Sequence, residues 1–165
     1  MKVLSLFPFL LFSIQLTAQK KYVGNYHTYF GNRIEIYHDS TFKYIFNLDT
    51  ESSWTKGTWK VHSDTIYFKM IPIYDTVVYK DSAETLRIDS LVLSSDQTPE
   101  RISSLESISG FLSSYGQNRH PFPDKLFFSN DKLFYIQGGK LVRQRMKGFW
   151  TTKKYVPWYI KESKS

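Results

Sequence analysis

Histidine and cysteine are the side chains that most often build metal sites, and their spacing here is unsuited to one. The chain contains no cysteine and four histidines: His27, His38, His62 and His120. No two histidines lie two or four residues apart, which is the spacing that places two ligands on one face of a strand or helix. The absence of cysteine also excludes disulfides, thiolate ligands and cysteine nucleophiles. We therefore predict no metal site.

The serines and carboxylates show no catalytic pattern. No Gly-x-Ser-x-Gly motif occurs, so the nucleophile turn of the α/β-hydrolases is missing. Asp49 and Glu51 flank a polar loop, and the acids between Asp75 and Asp89 are dispersed, as turn and surface carboxylates commonly are. We predict no catalytic residue. A hydrolase site assembled from distant Ser, His and Asp residues is an alternative that the sequence leaves open.

Nothing in the glycine spacing is typical of a nucleotide cofactor site. The eight glycines form neither Gly-x-Gly-x-x-Gly nor Gly-x-x-x-x-Gly-Lys, the two loops whose backbone amides bind phosphate groups. We therefore predict no cofactor.

Positive charge is concentrated at the C-terminus. Residues 131–165 contain nine basic and two acidic side chains, whereas residues 19–130 contain twelve basic and thirteen acidic ones. Aromatic residues interleave with the lysines between Lys147 and Tyr159, a combination that can attract an anion while its rings stack or enter a membrane interface. The residues that we predict for an anionic-partner surface are Arg143, Arg145, Lys147, Lys153, Lys154 and Trp158. Alternatively, this segment forms strands with solvated lysines, and Val156, Trp158 and Ile160 fill the core.

The first 18 residues are typical of a signal peptide. Lys2 precedes a largely apolar stretch from Val3 to Leu16, and Ala18 is a small residue suited to cleavage. A stretch of this length is too short for an ordinary spanning helix, which needs about 20 residues. We predict removal of 1–18 and export of 19–165 as a single domain, to the periplasm or outside the cell; an uncleaved anchor is the alternative. No later segment is long and apolar enough to span a membrane.

Short alternating runs separated by turn residues predict a mainly β protein. Phe42, Tyr44 and Phe46 share one face of a run, as do Trp59 and Val61. Gly31-Asn32, Ser63-Asp64, Asn130-Asp131 and Gly138-Gly139 are typical of tight hairpin turns. The pattern predicts about ten antiparallel strands, which are expected to close into an up-and-down or lipocalin-like barrel because an open sheet leaves its edges exposed.

One helix is predicted near 99–114. Thr98 is a suitable N-cap and Pro99 a suitable first helical residue. An apolar stripe at helical spacing comprises Ile102, Leu105, Ile108 and Leu112. This stripe is expected to pack against the sheet.

Residues 23–79 resemble small exported bacterial lipocalin-like domains of the calycin type. The resemblance is carried by Gly24-Asn25-Tyr26 at the first strand, then by Asp39-Ser40-Thr41-Phe42, Gly57-Thr58-Trp59 and Asp64-Thr65-Ile66. Tyr26 stands where lipocalins have tryptophan. The resemblance implies an up-and-down barrel whose apolar interior can hold a small ligand, and it carries over no catalytic residue.

Aromatic side chains of the predicted barrel are the candidates for lining a ligand cavity. They are Tyr26, Phe42, Tyr44, Trp59 and Tyr67. Small barrels are also often filled by such side chains, so a hollow and a filled interior both stay open. The sequence predicts an exported, non-enzymatic barrel that binds a small apolar ligand. The alternative is a cell-envelope module that binds an anionic partner through its C-terminal region; export makes nucleic acid an unsuitable partner, and the oligomeric state stays open.

Overall fold

Eight antiparallel strands close into a barrel in the computed structural model, which describes residues 20–79, 89–113, 115–117 and 122–163. In chain order, the barrel strands are β1 (Gly24–His27), β2 (Asn32–Ile36), β3 (Thr41–Leu48), β4 (Glu51–His62), β5 (Thr65–Met70), β9 (Lys125–Ser129), β10 (Lys132–Gln137) and β14 (Tyr159–Lys161). Neighbours in the chain are neighbours in the barrel, and closure comes from the pairing of β14 with both β10 and β1. The predicted fold class is confirmed.

The remaining elements belong to two long connections. The first connection, residues 71–124, contains a three-stranded sheet and the helix: β6 (Tyr74–Val78), β7 (Asp89–Leu93), β8 (Arg101–Ser103) and α1 (Ser104–Leu112). The second connection, residues 138–158, contains β11 (Lys140–Leu141), β12 (Met146–Lys147) and β13 (Lys154–Tyr155). The barrel itself therefore has fewer strands than the predicted ten, because the other short strands lie in these connections.

Strand direction places both long connections at one end of the barrel. Because every neighbouring pair is antiparallel, β5 and β10 finish at the same end as β1 and β3. We call this end the insertion end; it carries the connections 28–31, 49–50, 71–124 and 138–158. The opposite end, the terminal end, carries Lys21 and Glu162 with the turns 37–40, 63–64 and 130–131.

Alternating side chains fill the barrel interior. Each strand turns every second residue inward, as the two-residue period of β-structure requires. The buried cluster comprises Tyr22, Tyr26, Ile34, Ile36, Phe42, Tyr44, Trp59, Ile66, Phe68, Leu126, Leu133 and Tyr159. Burial of this many large apolar side chains is the main source of stability.

Positive backbone φ angles mark the tight turns. Ser63 and Asp64 both have positive φ, and His62 pairs with Thr65, so this connection is a two-residue hairpin of the type predicted. The turns at Asn130-Asp131 and Gly138-Gly139 are built in the same way. The predicted two-residue turn at Gly31-Asn32 is wrong. β1 ends at His27, the hydroxyl of Thr28 accepts hydrogen bonds from the amides of Phe30 and Asn32, and Asn32 already belongs to β2.

The predicted helix is shorter than expected, and its apolar side chains face solvent and not the sheet. It begins at Ser104 and not near Pro99, because Arg101–Ser103 forms a strand that pairs in parallel with β6. Ser103 is the N-cap of the helix and forms a reciprocal capping box with Glu106. Ile102 therefore belongs to a strand. The prediction that the apolar stripe packs against a sheet is wrong: Leu105 is 73% exposed and Leu112 is 76% exposed.

Candidate functional site

Four of the five aromatic residues predicted to line a ligand cavity lie inside the barrel. Tyr26, Phe42, Tyr44 and Trp59 are all buried members of the core cluster. Tyr67 lies on the outer face of β5 and is 37% exposed, because its neighbours Ile66 and Phe68 take the inward positions. The structure therefore brings together the first four and leaves Tyr67 outside.

The buried tyrosine hydroxyls are satisfied by partners within the barrel. Tyr26 Oη donates to the carbonyl oxygen of Tyr22 at 2.7 Å. The hydroxyls of Tyr135 and Tyr159 lie 2.7 Å apart. Burial raises the pKa of Tyr26, Tyr44 and Tyr159, so these phenols stay protonated and serve as hydrogen-bonding core residues.

Trp59 is also held by polar and aromatic contacts. Its Nε1–H donates to the carbonyl oxygen of Tyr37 at 3.1 Å, which satisfies the indole donor in a buried position. The edge of the Tyr22 ring approaches it with a centroid separation of 6.4 Å. The aromatic residues of the interior thus fill it and contact one another.

A cavity of about 460 Å³ lies over β3 and β4. Its walls combine apolar residues such as Phe42, Ile71 and Ile73 with the lysines Lys43 and Lys56. The lysines alternate with buried residues along their strands, so the cavity opens on the outer side of the barrel wall. Phe42 contributes to both the interior and this cavity.

The C-terminal hairpin, residues 146–155, is the second candidate site. Met146 pairs with Tyr155, and Lys147 pairs with Lys154. The amide of Gly148 donates to the carbonyl oxygen of Lys153 at 3.0 Å, which closes the base of a tight loop. Trp150 has a positive φ of 53° in this loop, and its side chain is fully exposed.

Aromatic contacts attach this hairpin to the barrel. The ring of Tyr155 stacks on that of Tyr29, which lies in the connection between β1 and β2. Phe149 meets the edge of Phe30 from the same connection, with ring centroids 5.4 Å apart. The exposed loop tip is therefore presented from an anchored base.

The structure brings together most of the predicted basic surface. Lys147 and Lys154 face each other across the two strands, and neither pairs with a carboxylate of the described residues. Lys153 is exposed next to them. Like charges directly opposite each other oppose strand pairing, so this pair works against the hairpin's own stability. Arg143 and Arg145 are exposed in the segment that leads into β12.

Trp158 does not join that surface. It is half-buried against Phe134, with ring centroids 5.3 Å apart, and the guanidinium of Arg143 lies over the same Phe134 ring at 5.5 Å. The alternative in which Trp158 and Ile160 fill the core is wrong in register: Tyr159 between them is fully buried, and Ile160 is exposed.

Trp150 is the exposed aromatic residue that the predicted site omitted. Its neighbours in sequence gave a signal, since it lies within the basic and aromatic run, but alternation could not place it. A positive φ at a loop tip is a property of the folded backbone, and tryptophan rarely adopts it.

Histidines and carboxylates form no arrangement of three or more suited to a metal ion within the described ranges. His27 Nδ1 lies 3.7 Å from Glu162 at the barrel wall, His38 and His62 are exposed, and His120 lies outside the described residues. The buried carboxylate of Asp75 accepts a hydrogen bond from the amide of Glu100 at 2.9 Å, a structural role.

No helix in the part of the chain that the structure describes is both long and apolar enough to cross a membrane. The predicted signal peptide, residues 1–18, lies outside the described residues. Comparison with protein-family models, with curated proteins and with solved structures found no match to this chain.

Proposed function

We propose that this chain is an exported, non-catalytic barrel protein that binds an anionic component of the cell envelope through the C-terminal hairpin. One observation carries the proposal: Trp150 is fully exposed at the tip of a hairpin whose facing lysines, Lys147 and Lys154, have no carboxylate partner among the described residues. The facing lysines oppose strand pairing, and the exposed tryptophan buries no apolar area in this chain. A bound anion offsets the repulsion, and an adjoining surface for the indole ring adds the burial that the chain itself does not provide.

The attachment of the hairpin supports the same proposal. The contacts of Tyr155 with Tyr29 and of Phe149 with Phe30 hold the base of the loop before any partner arrives. A surface that is already ordered loses less conformational entropy on binding than a free tail does. The surplus of positive charge in residues 131–165 attracts the partner over a longer range.

Export is part of the proposal and is supported by the sequence. Residues 1–18 combine a basic start, a short apolar stretch and a small residue at the expected cleavage position. Sequencing the N-terminus of the protein from its own host tests this part. We expect a start at Gln19 or Lys20, and a soluble cytosolic chain that retains residues 1–16 would contradict it.

Salt dependence of binding is the central experiment. The two probes are acidic liposomes and an acidic polysaccharide. Each is titrated at low and at physiological ionic strength, and the Debye length at the physiological value is about 8 Å. Replacing Lys147, Lys153 and Lys154 with Gln should weaken binding about 100-fold, because each lysine near an anionic surface contributes about 1 kcal/mol. The control replaces the exposed Lys20, Lys60 and Lys69 with Gln, which removes equal charge elsewhere. Binding that survives the first variant and is insensitive to salt would refute the proposal.

We propose, as the second candidate function, that a barrel of lipocalin-like type binds a small apolar ligand in the cavity on the outer side of its wall. The cavity of about 460 Å³ beside Phe42 favours it, as does the order of the strands, in which the first pairs with the last. Native mass spectrometry of protein purified from its own host should show a co-purifying small molecule. Ile71→Asp in the cavity wall should remove it, whereas Leu91→Asp on the exposed strand β7 should not. Equal retention in both variants would refute this function.

A further inference from the structure

The helix α1 packs with its small residues inward and its large apolar residues outward. Gly110 faces Ser95 of the same connection: a Cβ added to Gly110 would be 3.6 Å from the Cβ of Ser95. Ser107, on the same side of the helix, is half-buried. The exposed face is formed by side chains that recur at helical spacing: Leu105, Ile108, Phe111 and Leu112, with Tyr115 just beyond the helix. We call these five residues the apolar face. An apolar surface of this extent on a soluble protein marks a site of contact with another apolar phase.

The apolar face and the C-terminal hairpin are linked along the same end of the barrel. Both lie in connections that leave the barrel at the insertion end. The first contact of this link is in the hairpin, where Tyr155 stacks on Tyr29 of the connection 28–31. In that connection, the carbonyl oxygen of Gly31 accepts a hydrogen bond from the amide of Asn47. These contacts bring the hairpin to β3.

The link continues from β3 to the helix. The hydroxyl of Ser52 donates to Oδ1 of Asn47 at 2.6 Å, which joins β4 to β3. Two residues further along β4, Trp54 Nε1 donates to the carbonyl oxygen of Ser95 at 3.4 Å. Ser95 in turn faces Gly110 of α1, where an added Cβ would lie 3.6 Å from its own Cβ. A series of contacts around the insertion end therefore links the two exposed features, and we call the hairpin and the apolar face together the rim.

Three classes of partner could cover this rim, and they differ in how well they satisfy both its lysines and its apolar side chains. A carbohydrate polyanion would satisfy the lysines but would leave the aliphatic side chains Leu105, Ile108 and Leu112 in water. A second copy of the chain would cover the apolar face but would bring two lysine-rich hairpins to the same interface, where like charges repel. An anionic lipid bilayer satisfies both: its headgroups pair with lysines, its interface suits tryptophan, and its acyl region takes up an amphipathic helix.

We propose that the insertion end docks on an anionic lipid bilayer, with α1 lying in the plane of the interface and the tip of the C-terminal hairpin inserted beside it. This inference rests on the proposed function, because the lysines of the hairpin supply the attraction to anionic headgroups. The polar side of the helix is rich in serine, and the carboxylate of Glu106 is occupied by the capping box. The helix therefore contributes apolar contact, and the hairpin contributes charge. The terminal end, with Lys21 and Glu162, faces away from the membrane.

The test uses the purified chain and vesicles of phosphatidylcholine with and without phosphatidylglycerol. The first variant, Leu105→Asp/Leu112→Asp, should weaken binding to the anionic vesicles about tenfold or more, because each leucine loses its burial in the acyl region. Its control is Tyr37→Asp/Ile160→Asp, which places the same charges at two exposed residues nearer the terminal end. We expect the control to bind like the unaltered chain. Equal loss in both variants would overturn the proposal.

Single cysteines give a second measurement that leaves the apolar face intact. The chain has no natural cysteine, so Ser109→Cys, Thr152→Cys and His62→Cys can each carry one environment-sensitive dye. Addition of anionic vesicles should raise the emission at positions 109 and 152 and leave position 62, in β4 at the terminal end, unchanged. A rise at position 62 alone, or at none of the three while vesicles are bound, would overturn the proposal.

The outcomes separate this inference from the proposed function. If the chain binds an acidic polysaccharide but no vesicle, or if the Leu105→Asp/Leu112→Asp variant binds vesicles fully while the triple lysine variant does not, the bilayer docking of α1 is refuted and the anionic site stands. If the leucine variant instead converts a dimer into a monomer, a second copy covers the apolar face and the inference is refuted. If neither vesicles nor polysaccharide bind, the proposed function itself fails.

Discussion

The rings of Tyr29 and Tyr155 stack face to face, with centroids 3.4 Å apart and planes within 4° of parallel. Tyr29 belongs to the connection that follows the first barrel strand, and Tyr155 belongs to β13, more than a hundred residues later. The two strands of the C-terminal hairpin pair over only two residues each, so backbone hydrogen bonds alone hold it weakly. The stack therefore fixes where the exposed lysines and Trp150 lie relative to the barrel.

The first prediction concerns this stack. Tyr29→Ala and Tyr155→Ala should each loosen the hairpin, and the double variant should lose less than the sum of the two, because either change alone removes the shared contact. Amide hydrogen exchange of residues 146–155 measures the loosening. Pairing Tyr155→Ala with Tyr37→Ala, in the turn at the terminal end, should give additive effects. Additivity for Tyr29 and Tyr155 would show that the stack does not hold the hairpin.

The second prediction compares adjacent residues of β4. Trp59 is 4% exposed and packs in the core cluster, whereas Lys60 is exposed on the outer face. Trp59→Ala should lower the free energy of unfolding by about 3–5 kcal/mol, as truncations of buried aromatic residues do. Lys60→Ala should change it by about 0.5 kcal/mol or less. Denaturant unfolding measures both, and equal losses at the two positions would contradict the inward Trp59 and outward Lys60 described here.

Strand alternation predicted the barrel interior well. Phe42, Tyr44, Trp59, Ile66 and Phe68 point inward as the two-residue period requires. Three two-residue turns were also predictable, because asparagine, aspartate and glycine tolerate positive φ better than most residues do, whereas the turn predicted at Gly31-Asn32 is a longer connection. Both signals are local, and they depend on few neighbours in the sequence.

The orientation of α1 could not be read from the same kind of pattern. Helical spacing identifies an apolar stripe, but it does not say which partner covers the stripe. Here the small side, with Ser107 and Gly110, meets the rest of the chain, while Leu105 and Leu112 face outward.

The C-terminal strand was predicted in the wrong register for a related reason. Trp158, Tyr159 and Ile160 are all large and apolar enough to fill a core, so the sequence does not single out the inward residue. The pairing of β14 with β1 and β10 decides it, and those partners are distant in the chain.

The third prediction contrasts two glycines. A Cβ at Gly57 would lie 2.0 Å from the carbonyl oxygen of Lys69 and 2.8 Å from the Phe42 ring, so backbone would have to move. Gly57→Ala should therefore destabilise the fold by about 1–3 kcal/mol or more, as overpacking does. Gly110→Ala in α1 meets only ordinary contacts and should stabilise the fold by about 0.5–1 kcal/mol. Thermal unfolding distinguishes the two, and a shift of the same sign in both would contradict the packing described.

The fourth prediction concerns the carboxylate of Asp64, which lies in the turn 63–64 at the terminal end of the barrel. Its Oδ1 accepts a hydrogen bond from Lys21 Nζ and another from Tyr22 Oη, each at 2.7 Å. These two donors, Lys21 foremost, hold the pKa of Asp64 below its usual value of 3.8. A carboxyl group whose pKa is lowered by folding stabilises the fold above its unfolded pKa, and that stability is lost as the pH falls through the folded pKa.

Asp64→Asn should therefore reduce the free energy of unfolding at neutral pH, and its difference from the unaltered chain should be constant down to about pH 4. Below that pH the difference should shrink, because protonation of Asp64 removes the same interaction from the unaltered chain. Urea unfolding at a series of pH values measures the difference. Asp124→Asn, at an exposed position before β9, is the matched control for the chemical change itself. A difference that persists undiminished to about pH 2 would mean that Asp64 acts through its shape and turn geometry and not through its charge.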